Sequence, residues 1–118
     1  MNYKKSFNGK TAASLCFIAL FILLQACTVK FGHDFNPKEF HDWVKQGETT
    51  AKEVREKLGA PTSQGMVMEG DGKTLKRYIY YYGKGKISNM KDAKFKMLEV
   101  RFDENNQVHS FNWSAAAE

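Results

Sequence analysis

"FNPKEFHDWVKQGETTAKEVREKLGAP", residues 35–61, holds two sets of helix-start and helix-stop signals in succession. Asn36 is suited to cap a helix, Pro37 to its first position, and Glu39 to complete a capping box. Phe35 and Phe40 stand where a hydrophobic staple would place them. Phe40, Trp43 and Val44 share one face at helical spacing, and Gly47 is placed to end the helix. Thr50 and Glu53 then form a second Thr-x-x-Glu box. Ala51, Val54 and Leu58 line one face behind it, and Gly59 with Pro61 stops the second helix. A helical hairpin is the expected outcome.

Downstream the periodicity shifts to that of strands. In "QGMVMEGDGKTLKRYIYYYG", residues 64–83, Asp71-Gly72 is a turn between two extended runs. Tyr78, Tyr80 and Tyr82 face one way in the second run, and Arg77, Ile79 and Tyr81 the other. Both faces are substantially apolar, as in a central strand. "GKGKISNMKDAK", residues 83–94, reads as a looser connection. Leu98, Val100 and Phe102 then alternate with Met97, Glu99 and Arg101. "ENNQ" supplies a turn, and "VHSFNWS" returns with His109, Phe111 and Trp113 on a common face. The expected class is α+β: an N-terminal helical hairpin packed on a roughly four-stranded antiparallel sheet.

Upstream, Lys4, Lys5 and Lys10 form a positive region, and no acidic residue occurs in the first 26 positions. The apolar run "LCFIALFILL", residues 15–24, falls short of the roughly 20 residues a membrane-spanning helix needs. With a small residue at its exit it describes a secretory signal peptide. Leu24-Gln25-Ala26-Cys27 looks like a bacterial lipobox, in which the cysteine thiol is acylated and the chain cut before it. Cys27 is therefore the expected lipid attachment point. The expected divisions are a leader at 1–26, a lipidated tether at 27–34 and a domain at 35–118. Thr28 is not aspartate, so the enterobacterial sorting rule sends the protein to the outer membrane, facing the periplasm.

Removing 26 residues from 118 leaves 92, a single small domain. Three lysines leave with the leader, so 15 basic residues face 13 acidic ones and the net charge falls from +5 to +2. Cys16 leaves too and Cys27 is consumed by lipid, which excludes a disulfide framework. The apolar core alone must stabilise the domain.

"GETTAKEVREKLGAP", residues 47–61, resembles the Gly-x-Thr-Thr-x-x-Glu-Val-x-x-x-Leu-Gly-x-Pro signature of the BamE (SmpA/OmlA) family of small outer-membrane lipoproteins. The later order is also similar: an aromatic strand at Arg77 to Tyr82, a strand ending in Phe102-Asp103, then a last strand after a polar turn. The resemblance implies a two-layer α+β domain without catalytic activity or cofactor. It also implies an accessory role in inserting β-barrel proteins into the outer membrane. The implied partners are β-barrel assembly machinery proteins and anionic phospholipid. A free-standing ligand-binding or inhibitor lipoprotein on the same scaffold is the alternative.

The residues themselves argue against catalysis. No metalloprotease, Cys-x-x-Cys, nucleophile-elbow or phosphate-loop pattern occurs. His33-Asp34 and His41-Asp42 are sequence neighbours, which diverge by about 100° on a helix and are not expected to pair. Basic residues crowd residues 73–96, where Asp92 is the sole acid. An exported lipoprotein meets no nucleic acid, so Lys84, Lys86, Lys91 and Lys94 either meet anionic lipid head groups or form a solvated loop that lysines keep soluble. Ile79 is the more natural core residue. Tyr78, Tyr80 and Tyr82 are therefore expected to face outward and bind a partner; the alternative is that they form the core face, with Ile79 and Tyr81 outside.

Overall fold

The computed structural model of the chain describes residues 9–25 and 27–116. Lys4 and Lys5 of the expected leader, and Ala26 at its expected cleavage point, lie outside the described residues. Among the described residues there are three helices: α1 (Gly9–Gln25), α2 (Pro37–Trp43) and α3 (Ala51–Leu58). Five strands accompany them: β1 (Thr28–Phe31), β2 (Ser63–Met68), β3 (Thr74–Lys86), β4 (Asn89–Phe102) and β5 (Val108–Ala116). The fold is α+β, with all five strands in one antiparallel sheet. α1 covers the apolar run, and among the described residues no helix is long and apolar enough to cross a membrane.

The cap signals act largely as their residue types dictate. Asn36 Oδ1 accepts from the backbone N–H groups of Lys38 and Glu39, at 3.0 and 3.2 Å. Glu39 reaches Lys57 on α3 at 3.4 Å. The Thr50–Glu53 box closes in both directions. Gly47 is not the stop of α2, which ends at Trp43 with Val44 as its cap. Instead Gly47, at φ 76°, belongs to the turn before α3 and donates its N–H to Val108 O at 2.8 Å. Val108 N–H donates to Thr49 O and Ala51 N–H to Asn106 O, both at 2.8 Å. The inter-helix turn is thereby sewn to the β4–β5 turn.

β3 is the central strand. One of its edges pairs with β4, while β2 and β1 share the other end to end. β2 covers Thr74–Ile79, and β1 covers Gly83–Lys86. Between them Tyr81 N–H donates to Thr62 Oγ1 at 3.0 Å. Two expectations are corrected here. Residues 28–31 form a paired strand, not part of a free tether, because Val29 and Phe31 alternate beside an edge with unpaired backbone groups. Residues 83–94 are no loose connection: Gly83 pairs with Phe95 and Lys84 with Lys94, continuing the β3–β4 ladder to a shift near its tip. Gly32 lets the chain leave β1, since at φ 75° a Cβ there would collide with Tyr81 O.

Phe40, Ala51 and Val54 from the helices share one buried cluster with Tyr78, Tyr80, Leu98, Val100, Phe102 and Val108. Trp43, Leu58 and Phe111 pack against it, half-buried. The register opposes Tyr78 to Val100 and Tyr80 to Leu98, which defines a core face of the sheet. The expected outward tyrosines are therefore corrected: Tyr78, Tyr80 and Tyr82 are 2%, 4% and 6% exposed. Their length is what the core face uses, because Tyr80 spans the core and donates its hydroxyl to Gly59 O at 3.0 Å. Ile79 is also buried, from the opposite face, and Tyr81 is the exposed member of the run. In β5 a register shift beside Arg101–Phe102 brings Val108 into the core, so His109 is exposed and strict alternation with Phe111 fails.

Candidate functional site

The β1–β3–β4 end of the sheet gathers the expected lipidation and lipid-binding residues. Cys27 is exposed and immediately precedes β1. Its carbonyl accepts from Ile87 N–H at 3.3 Å, which holds it beside the tip of the β3–β4 hairpin. The fold therefore joins a residue near the chain's start to a turn 60 positions later.

Beyond the buried cluster, the core face of this end is basic. Lys30 opposes Lys84, and Lys84 opposes Lys94, so three lysines stand in a row across three strands. Lys84, Lys86, Lys94 and Lys96 line an open groove of about 540 Å³ together with Asp34 and Asp92. The acids have partners. Lys96 Nζ donates to Asp34 Oδ1 at 2.9 Å, and this hydrogen bond holds the Asp34 carboxyl below its ordinary pKa. Asn89 donates to Asp92 at 2.7 Å. Of the four lysines expected to meet lipid, three thus border one groove. Lys91 does not line it and is exposed at the hairpin tip.

The outer face of the same end is apolar. Phe31, Tyr81, Gly83, Phe95 and Met97 border a shallow groove of about 510 Å³. Phe31 is 58% exposed and Phe95 53%, while Val29, Ile87 and Met90 are also exposed. The Phe95 ring lies over Gly83, and Ala93 and Met90 lie over Gly85. Sequence reasoning passed over this patch. The signal available was the pair of glycines inside a strand, which marks close approach by a neighbour. Farther along the outer face the chemistry changes. Arg101 bonds Glu99 at 2.6 Å and Glu69 at 2.7 Å, and Arg77 stands 3.6 Å from Glu99. The hydrogen bonds that Arg101 donates to Glu99 and Glu69 raise its pKa.

The histidines form no common site. His41 Nδ1 lies 3.1 Å from Asp42 Oδ1, which corrects the expectation that these neighbours cannot meet. Their backbone directions diverge, but both side chains are well exposed and turn toward each other at the end of α2. Among the described residues no group of three His, Cys, Asp or Glu could hold a metal ion. No protein-family model matches the chain, and no curated protein or solved structure gives a significant match.

Proposed function

We propose that this chain is a bacterial lipoprotein acylated at Cys27, anchored in the outer membrane with its domain facing the periplasm. There it works without catalysis, as an interaction subunit in outer-membrane protein assembly or envelope integrity. The observation that carries this reading is the lipobox at Leu24–Cys27, joined to the place the fold gives Cys27: exposed, beside a hairpin whose basic groove suits anionic head groups. The finer architecture belongs to the same proposal: α2 and α3 form a hairpin covering the core face in two BamE-like layers. The shared buried cluster of Phe40, Ala51 and Val54 with the sheet supports it.

Expression of the full chain and of Cys27→Ala, followed by membrane fractionation and mass spectrometry, tests the anchor. The native chain should be acylated at Cys27 and recovered with outer membranes, and the variant should be neither. Crosslinking and pull-down after mild detergent extraction tests the role. Recovery with β-barrel assembly components supports it, whereas recovery of the protein alone rejects it in favour of a free-standing lipoprotein.

A further inference from the structure

We infer that the apolar outer face of the β1–β3–β4 end embeds in the bilayer that holds the acyl group, as a second and non-covalent membrane contact. The inference rests on acylation of Cys27 in the reading above. This end of the sheet is a two-faced blade. Val29, Phe31, Tyr81, Phe95 and Met97 lie on the outer face by register, and Lys30, Lys84 and Lys94 lie on the other. The four residues of β1 span roughly 13 Å, so the apolar patch begins within one short strand of the lipidated residue. Lipid is therefore the apolar medium this patch meets first. The hairpin tip adds exposed Ile87 and Met90, and the backbone bond from Ile87 to Cys27 fixes that tip beside the acyl chains.

The division of side chains matches what an interfacial element needs. An apolar face that sinks about 5–10 Å into the boundary between head groups and acyl chains places its own backbone at head-group depth. Lysines on the reverse face then extend their apolar stems upward and set their ammonium groups among phosphates and water. Gly83 and Gly85 keep the blade thin, and an edge of the Phe95 ring occupies the space a side chain at the first would need. The charged outer-face network of Arg77, Glu99 and Arg101 lies beyond the apolar patch, and it marks where the embedded region must end.

The test uses the full chain, matured in cells, in a Cys16→Ser background. Phe95→Cys, Phe31→Cys and Met68→Cys each carry an environment-sensitive dye. Met68 is exposed and pairs with Thr74, about 30 Å along β3 from the residue opposite Phe95. The protein is reconstituted in phosphatidylcholine vesicles with and without a doxyl-labelled lipid, and the state of Cys27 is read by mass spectrometry. Dyes at 95 and 31 should be blue-shifted and quenched by the spin label, and the dye at 68 should be neither. Flotation of the acylated protein with positions 95 and 31 behaving like 68 overturns the embedded face and leaves the anchor standing. A chain unmodified at Cys27 that fails to float overturns both. Shielding at 95 in native membranes but not in vesicles assigns the face to a protein partner and also overturns the inference.

Discussion

Tyr80 joins the two halves of the core through one side chain. Its ring belongs to the buried cluster, and its hydroxyl ends on the carbonyl that follows α3. Burial pushes its pKa from 10 up to about 12. A raised phenol pKa means that the folded state favours the neutral form. The stability this contributes is fully present below pH 10 and is lost as pH rises towards about 12. Tyr80→Phe should cost about 1 kcal/mol at neutral pH, for the lost hydrogen bond. The variant should also lose less stability than the native chain between pH 10 and 12, and urea unfolding at several pH values compares the two. Tyr80→Ser leaves a cavity as well and should unfold the domain. Gly32 is a second such position, because its left-handed backbone lies against the Tyr81 carbonyl. Gly32→Ala should displace β1 while leaving the Phe40 cluster intact. Faster hydrogen exchange confined to residues 28–31 and their partners at 83–86 is the expected signature.

At the scale of elements, α2 is short and depends on one anchor. Phe40 is fully buried and meets Trp43 at 5.9 Å and Phe111 at 5.5 Å between ring centroids. Phe40→Ala should cost about 3–5 kcal/mol, a large share of a total near 5–15 kcal/mol. The midpoint of urea unfolding followed by Trp43 fluorescence measures it, and a loss below about 1 kcal/mol would show that α2 is not part of the core. These helices were legible because Asn36, Thr50 and Glu53 satisfy backbone groups over three residues or fewer, and Pro37 presets the first-turn backbone without adding an unpaired N–H. The Asp71-Gly72 turn was legible for the same reason. β1 was not, since "TVKF" becomes a strand through an edge more than 50 residues away. The far half of the β3–β4 ladder was hidden by glycine and lysine, whose pairing depends on Phe95 and Ala93 opposite. The direction of the tyrosines was hidden because Ile79 and Tyr80 are both buried, so the pattern offered no polar face to choose against.

At the scale of the molecule, charge and apolar surface divide at one end of the sheet. Each basic residue near an anionic membrane contributes roughly 1 kcal/mol, so Lys84→Gln, Lys86→Gln and Lys94→Gln together should cost about 3 kcal/mol at low salt. Transfer of the acylated protein out of phosphatidylglycerol vesicles should quicken by roughly 100-fold, with little change from phosphatidylcholine. Equal effects on both lipids would remove the lysines from head-group contact. The placement of Cys27 immediately before β1 also decides how the proposed anchor would bear mechanical load. A pull on Cys27 directed along the β1 strand axis would slide β1 lengthwise past Gly83–Lys86, so its cross-strand bonds would resist in parallel. A sideways pull opens them one after another from Thr28. The same four residues are a stiff fastening under axial tension and a zip under lateral drag.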